Sequence, residues 1–316
     1  MAKKRFLLAQ MGTPCSPKVS DVRHFLFLFL SDPKVVGLPW FFWKFFLKCF
    51  LLPLYSAKSA KLYERLWDGE MFMSKRKTCE LALSLKQKIN NESEYANAEL
   101  ETFFSYSDHK LNNNQNPNVL ILFPQYCEST YGVIKKELEK KYLNFETYPP
   151  YYNQNFYINA CVQHIDEALG AARVKGHLIQ KLILSFHSMP LKQIKKWDDP
   201  YLAQCQETYK LIKERVKEIE KKDIHIAFQS RFGPGKWATP ETKEFAIECL
   251  KKDHKEIAIF CPGFIVDGIE TVDEIGRRLS DEMKSLGGEL FFIPCLNARD
   301  DFVSGLADYI LKSHLK

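Results

Sequence analysis

The chain has 316 residues, of which 46% are apolar and 27% charged, and its formal net charge at pH 7 is +6. This is the profile of a soluble globular protein with a substantial core. The mild positive charge comes without a basic cluster interleaved with stacking aromatics, so nucleic-acid binding is disfavoured. Nine cysteines are spread through the chain without a Cys-x-x-Cys pair, which gives no local support to a zinc ribbon or an iron–sulfur cluster and favours reduced thiols in the cytoplasm.

Apolar runs bounded by turn residues alternate with helical patterns along the chain. The predicted strands are Arg5–Met11, Glu99–Ser105, Val119–Pro124, Leu182–His187, Ile224–Gln229, Ile257–Cys261 and Glu289–Pro294. The predicted helices are Pro17–Leu30, Lys58–Leu66, Ser74–Asn90, Thr130–Tyr142, Ile158–Ala171, Tyr201–Ile219, Glu241–Leu250, Thr271–Leu286 and Asp300–Leu311. The alternation favours parallel βαβ units and occurs twice, so we predict an α/β protein of two similar lobes, 1–150 and 151–316, with a cleft between them. The last helix is expected to pack back on the first lobe, and the Asn-rich stretch Asn112–Asn118 is expected to be a polar loop.

The segment Trp40–Tyr55 is unusually rich in aromatic and apolar side chains, with Lys44 and Lys48 among them. A transmembrane helix needs about 20 mostly apolar residues, so this shorter segment is a poor candidate for one. Between Asp32 and Glu64 there are five lysines and no carboxylate. An apolar surface with a lysine fringe suits an anionic bilayer or a flat, acid-bearing ligand. A buried helix whose lysines extend to solvent is an equally good explanation.

The stretch Leu182–Pro190 begins as a continuous apolar run, typical of a buried parallel strand, and the strand ends on His187. In an open α/β sheet, ligands bind just beyond the carboxyl ends of the strands. A histidine at that point is held on rigid backbone and directed into a crevice. Taken alone, a structural histidine bonded to a neighbouring loop would be the simpler explanation.

Two carboxylates follow a second predicted strand end. Glu270 lies close to the start of a helix, where a negative charge is favoured, and Glu274 is four residues later on the same helical face. Such a row can conduct a metal ion or protons, although helix capping and a solvated face would also explain it. Two further strand ends, Phe123–Thr130 and Gln229–Trp237, carry polar groups, and each is also readable as an ordinary loop before a capped helix.

These segments resemble ferrochelatases in their order and approximate separation, over nearly the whole chain. Leu7–Pro14 is similar to the opening strand and turn of that family, and Phe123–Thr130 to its Pro-Gln-Tyr-Ser-x-Ser-Thr element. The other matching segments are Ser185–Pro190 (Ser-x-His-Ser-hydrophobic-Pro), Asp199–Tyr201 (Asp-Pro-Tyr), Gln229–Trp237 (Gln-Ser-basic-x-Gly-Pro-x-x-Trp) and Asp267–Thr271 (Asp-x-Ile/Leu-Glu-Thr).

The resemblance implies Rossmann-like lobes of the chelatase type with parallel four-stranded sheets, and insertion of Fe²⁺ into protoporphyrin IX to form haem. It implies that His187 and Glu270 are catalytic and bind the metal, and we expect Glu274 to extend an acidic path to them. The expected substrate contacts are Met11, Tyr63, Tyr126, Ser188, Gln229, Arg231 and Trp237. Iron would be a substrate, with no organic cofactor and no iron–sulfur cluster. A histidine can accept a pyrrole proton near neutrality, and a carboxylate can hold Fe²⁺ weakly enough to release it.

The chain departs from the family pattern at the expected porphyrin edge and along the outer metal path. Asp68–Met71 stands where Gly-Gly-Ser-Pro is usual, and Tyr55 where many members have an arginine for a propionate. Gly268 stands in place of a histidine, and Arg278 in place of a third carboxylate. The identity of the macrocycle therefore stays open, and one alternative is a chelatase for another tetrapyrrole such as coproporphyrin. The other alternative is a non-catalytic haem or porphyrin carrier.

The remaining expectations concern the setting of the protein. We expect a cytoplasmic protein, monomeric or weakly dimeric, that associates peripherally with the inner face of the membrane through Trp40–Tyr55.

Overall fold

The computed structural model describes residues 4–36, 40–106 and 116–313, without the side chains of residues 40–42 and 94. Most of the predicted loop Asn112–Asn118 lies outside the described residues. The chain divides into two units, Met1–Pro150 together with Ala307–Lys316, and Tyr151–Leu306.

The first unit is built on strand β1 (Arg5–Gln10), whose central residues Leu7 to Ala9 are fully buried, as a continuous apolar run predicts. It pairs in parallel with β2 (Glu99–Phe104) and β3 (Asn118–Ile121), and β3 pairs with the short β4 (Glu146–Thr147). The strand order is β2-β1-β3-β4. The end of the last helix belongs to this unit, where the Tyr148 hydroxyl donates to the Ile310 carbonyl at 3.2 Å.

The second unit repeats the arrangement. Its strands are β5 (Lys181–His187), β6 (Ile224–Gln229), β7 (Glu256–Phe260) and β8 (Glu289–Ile293). All neighbours are parallel and the order is β6-β5-β7-β8. In the register of β5 and β6, His187 is opposite Gln229, so both residues stand at the carboxyl edge of the sheet.

Helices flank both sheets. Those of the first unit are α1 (Val19–Ser31), α2 (Pro33–Val36), α3 (Trp40–Phe46), α4 (Leu52–Glu64), α5 (Met73–Asn90) and α6 (Val133–Glu139). The later ones are α7 (Asn155–Val174), α8 (Leu191–Trp197), α9 (Tyr201–Arg215), α10 (Thr242–Lys251), α11 (Ser280–Ser285) and α12 (Asp300–Ser313). The prediction of two parallel four-stranded sheets flanked by helices is thereby confirmed. The predicted cleft between the lobes stays a prediction.

The predicted helix Thr271–Leu286 has a different form. Residues Ile269–Leu279 are a π-helix, and only Ser280–Ser285 is an α-helix. Shorter π-helical segments, Leu47–Leu51 and Glu128–Gly132, precede α4 and α6. A π-helix has i→i+5 hydrogen bonds, is rare, and is frequently found at functional sites.

The aromatic segment is helical and only partly buried. Leu47 and Leu52 are buried, and the Trp43 indole donates to the Leu30 carbonyl of α1 at 2.7 Å, which attaches the segment to the first unit. Its outer face carries Phe45 (62% exposed), Phe46 (47%), Phe50 (53%) and Leu54 (74%). The alternative prediction, a buried helix whose lysines extend to solvent, is therefore wrong for this face. No described helix has both the length and the apolar character needed to cross a bilayer.

Candidate active site

The His187 imidazole is held in one tautomer by the backbone carbonyl of the next residue. Its Nδ1 lies 2.7 Å from the Ser188 carbonyl oxygen. Because a carbonyl can only accept, Nδ1 carries the hydrogen, and Nε2 of the neutral ring presents a lone pair. The Tyr201 hydroxyl donates to the His187 carbonyl at 2.9 Å, which fixes the strand end. The half-buried ring thus offers one nitrogen that can accept a proton or bind a metal.

A buried polar cluster fixes the turn before the π-helix. The Gly268 amide donates to the Thr271 hydroxyl at 2.9 Å, and that hydroxyl lies 3.2 Å from the Asp267 carboxylate. Asp267 also accepts the Cys295 amide at 3.1 Å and the Asn297 side-chain amide at 2.8 Å. These bonds hold the first turn of the π-helix, which carries Glu270, against the end of β8.

Glu270 lies in the first turn of the π-helix and is half-buried. Burial raises the pKa of Glu270, and the nearby carboxylate of Glu274 acts in the same direction. The carboxylate is also influenced by His187, which acts on the pKa in the opposite direction. His187 is opposite Gln229 in the β5–β6 register, and the Gln229 side chain donates to the Glu270 carbonyl at 2.6 Å, so the structure places both predicted catalytic residues at one edge of one sheet.

Glu274 is engaged within the protein. One of its oxygens accepts the Ser230 amide at 2.8 Å and the other accepts the Ser230 hydroxyl at 2.8 Å. Ser230 has a positive φ of 63°, which is uncommon for a residue with a side chain, and the two bonds hold it there. Arg278 Nη2 lies 3.9 Å from the Glu274 carboxylate, so a cation stands where a third acid was expected. The predicted role of Glu274 in metal transfer stays a prediction.

Ser188 and Gln229, predicted to contact substrate, are both about 1% exposed. The Ser188 hydroxyl donates to the Ala238 carbonyl at 3.2 Å. The Gln229 side-chain amide donates to the Glu270 carbonyl at 2.6 Å. These bonds give both residues a role in holding the site together, and their predicted substrate contact stays a prediction.

The loop after β6 carries the other two predicted contacts of this unit. Arg231 is exposed, whereas Trp237 is half-buried and forms an antiparallel bridge with Pro190, three residues after His187. The Leu191 amide donates to the Lys236 carbonyl at 2.9 Å, which ties the end of this loop to the start of α8. The backbone of Trp237 is thus held next to the segment that follows the His187 strand.

Met11, Tyr63 and Tyr126 belong to the first unit and are half-buried. Met11 follows β1 and packs against the core beside that sheet. The Tyr63 ring packs edge-on against Phe72 at 5.4 Å between centroids, and the Tyr126 hydroxyl donates to the Glu128 carboxylate at 2.6 Å. That these three residues line the same pocket as His187 stays a prediction.

One departure at the predicted porphyrin edge, Asp68–Met71, has a structural explanation. Asp68 accepts the amides of Glu70 (3.0 Å) and Met71 (2.9 Å) and is paired with Arg76, so Asp68–Met71 forms a tight turn. The bond with Arg76 holds the pKa of Asp68 well below its usual range. Tyr55, at the position of the expected arginine, is 55% exposed.

Among the described residues, the predicted metal ligands His187, Glu270 and Glu274 do not form a group of three with all ligand atoms in mutual reach, whereas a group elsewhere does. His177, Glu256 and Glu289 have ligand atoms within 4.8 Å of one another at the amino ends of β7 and β8. This is the sheet edge opposite His187. The Leu178 amide also donates to Glu256, at 2.5 Å, so the cluster is accounted for as an ion-pair network.

Two parallel four-stranded sheets flanked by helices define an α/β protein, in which the carboxyl edge of a sheet, where His187 stands, is the usual ligand-binding edge. The ferrochelatase family model matches residues 3–314. The chain is 34% identical over 329 residues to a ferrochelatase of Wigglesworthia glossinidia brevipalpis, covering 98% of both chains. It is 31% identical to one of Neisseria meningitidis serogroup A, with 95% of this chain and 90% of the other covered. A ferrochelatase of Francisella tularensis subsp. novicida is 30% identical, with 98% and 95% covered. The chain belongs to the ferrochelatase family.

A solved structure of SirB from Bacillus subtilis with Fe³⁺ has a TM-score of 0.46 and 11% identity, over 77% of this chain and 92% of the other.

Proposed function

We propose that this ferrochelatase inserts Fe²⁺ into protoporphyrin IX, with His187 and Glu270 as the groups that perform the exchange. The observation that carries the assignment is the His187 tautomer, because the Nδ1 bond to Ser188 leaves the Nε2 lone pair available. The strand end that carries His187 and the turn that carries Glu270 are joined through Gln229. Membership of the family supports the reaction, and the strand-end geometry supports the residues.

The reaction exchanges one Fe²⁺ for two pyrrole protons. His187 Nε2 has the lone pair needed to accept a proton or bind the metal. The carboxylate of Glu270 can bind Fe²⁺ through oxygen, and its raised pKa also makes it a better proton acceptor than an exposed glutamate. Either residue can deliver the metal while the other accepts the two pyrrole protons in succession and passes them to solvent, and the proposal leaves that assignment open. Iron enters as a substrate, and we propose that no organic cofactor and no iron–sulfur cluster takes part.

The competing macrocycles can be separated by absorbance. We expect purified protein, supplied with Fe²⁺ under reducing conditions, to convert the free-base spectrum of protoporphyrin IX to that of protohaem with many turnovers. Coproporphyrin serves as the parallel substrate, because the changes at Tyr55 and Asp68–Met71 bear on how propionates are bound. Faster turnover of coproporphyrin would reassign the substrate. Tight porphyrin binding without turnover would instead identify a carrier and contradict the proposed activity.

We further propose that the protein works in the cytoplasm as a peripheral membrane protein, attached through the exposed face of its aromatic segment. This apolar face is defined by Phe45, Phe46, Phe50 and Leu54, and it lies in a stretch with lysines and no acid between Asp32 and Glu64. An apolar surface with basic neighbours binds anionic bilayer interfaces through burial and charge together. The same surface could accept the apolar ring of a substrate or a second copy of the chain.

Vesicle binding tests the membrane proposal. Changing Phe45, Phe50 and Leu54 together to serine is expected to reduce co-sedimentation with phosphatidylglycerol-containing vesicles by at least about tenfold, because each buried apolar side chain contributes about 1.5–3 kcal/mol. The matched control changes three exposed leucines outside this face, Leu83, Leu143 and Leu178, to serine. Equal vesicle binding by the two triple variants would contradict the proposal.

A further inference from the structure

Gln229 is hydrogen-bonded to the two backbone segments that carry the proposed catalytic pair. Its backbone carbonyl accepts the amide of Ser188, the residue after His187, at 2.7 Å. Its side-chain Nε2 donates to the backbone carbonyl of Glu270 at 2.6 Å. Gln229 also stands opposite His187 in the β5–β6 register. One residue is therefore bonded to the strand end that carries the imidazole and to the helical turn that carries the carboxylate.

The other end of the Gln229 amide is equally constrained. Its Oε1 accepts the Ser185 hydroxyl at 2.6 Å and the Cys261 thiol at 3.2 Å. The Ser185 hydroxyl is in turn 2.7 Å from the Thr242 hydroxyl. Burial raises the pKa of the Cys261 thiol well above its ordinary value, so the thiol keeps its hydrogen and donates.

The chemistry of the partners fixes which way the amide points. The Glu270 carbonyl can only accept, so the nitrogen of the amide must face it and the oxygen must face Ser185 and Cys261. Gln229, Ser185, Thr242 and Cys261 are all at most 1% exposed. A buried network of this kind, with its donors and acceptors matched, holds its members rigidly.

We infer that Gln229 is a positioning residue that sets the placement of the Glu270 carboxylate relative to the His187 imidazole, an inference that rests on the proposed function of that pair. Metal insertion requires both groups to reach the same macrocycle, and a displacement of about 1 Å can cost about 100-fold in rate. If Gln229 only contacted the substrate, its loss would raise the porphyrin KM and leave kcat unchanged. A residue that positions the pair acts on the rate of the chemical step.

The test is the isosteric change Gln229→Met, which keeps the length of the side chain but removes its donor and acceptor. We expect kcat for iron insertion to fall about 10–100-fold, the range typical of residues that orient a metal site, while the porphyrin KM changes by less than about threefold. The matched control is Gln180→Met. Gln180 Oε1 accepts the amides of Lys255 (2.6 Å) and Glu256 (3.1 Å) at the opposite edge of the same sheet. The control should keep the wild-type kcat.

A second variant uses a readout that a purely structural role would not move. In Gln229→Glu, a protonated carboxyl can still donate to the Glu270 carbonyl, whereas the ionised form cannot. We therefore expect its kcat to fall with rising pH along a limb that the wild type lacks, and to approach the wild-type value on the acidic side of that limb. If Gln229→Met does not fold, this pH profile decides the question.

Three results would overturn the inference: a kcat for Gln229→Met equal to that of Gln180→Met, a raised porphyrin KM at unchanged kcat, or a pH profile for Gln229→Glu that parallels the wild type. The second result would make Gln229 the substrate contact that its motif suggests. Failure of the proposed function is distinguishable, because the wild-type protein itself would then lack iron insertion.

Discussion

Replacing Glu270 by glutamine is expected to lower iron insertion by about 100-fold or more, the usual contribution of a group that moves protons in a transition state. Glutamine keeps the size of the side chain but can neither ionise nor take a proton. Porphyrin binding, followed by fluorescence quenching, should persist because the shape of the site is retained. The matched control is Glu244→Gln, which removes one charge from an exposed position on α10 of the same unit and should keep full activity.

The raised pKa of Glu270 gives this prediction a pH signature. An ionised carboxylate is available only above the pKa, and burial moves that pKa upward from 4.5. If the anion binds the metal, kcat of the wild type falls as the pH is lowered through the raised pKa of Glu270. This fall occurs at a higher pH than an ordinary glutamate would produce. Glu270→Gln should lack this limb. An unchanged acidic limb in the variant would assign the titration to another group.

Replacing His187 by alanine is expected to have an effect of similar size, because it removes the Nε2 lone pair that the Ser188 bond leaves available. Iron insertion should fall by about 100-fold or more. Added imidazole should restore part of the rate, since it can enter the space that the side chain vacates and supply the same nitrogen. The rate of absorbance change at saturating porphyrin measures both effects.

His254→Ala is the matched control for this change. His254 also directs Nδ1 at a backbone carbonyl, that of Cys249 at 3.3 Å, but it follows α10 and precedes β7, at the amino edge of the same sheet. Its removal should leave kcat unchanged. A His187→Ala protein with near-normal iron insertion would exclude the imidazole from the reaction.

The strands could be predicted because a buried parallel strand is a continuous apolar run. The runs Arg5–Met11 and Leu182–His187 agree with β1 and β5 to within one residue at each end. Strand β4 was missed because it has two residues, Glu146 and Thr147, and both are exposed. The π-helix was missed because apolar spacing marks a helix without distinguishing i→i+4 from i→i+5 hydrogen bonds.

The candidate site was only partly predictable. His187 ends β5 and Glu270 lies in the first helical turn after β7, so topology places both at the ligand-binding edge of the sheet. The network around Gln229 joins residues far apart in the chain, and nothing local in the sequence indicates that its amide faces Glu270. The same holds for Asn297, which reaches back to Asp267 across 30 positions. An acid before a glycine, as in Asp267-Gly268, was the one local signal of that fixed turn.

The central claim is that one imidazole and one carboxylate at the edge of the second sheet act together on the same macrocycle. The most direct measurement is a double-mutant cycle in anaerobic iron insertion, with the wild type, His187→Ala, Glu270→Gln and the double variant followed by the absorbance of protohaem. The account predicts turnover by the wild type, large losses in both single variants, and a double variant no worse than about the poorer single one, because groups that act as a unit are not additive. Near-normal rates in either single variant, or losses that multiply in the double variant, would contradict it.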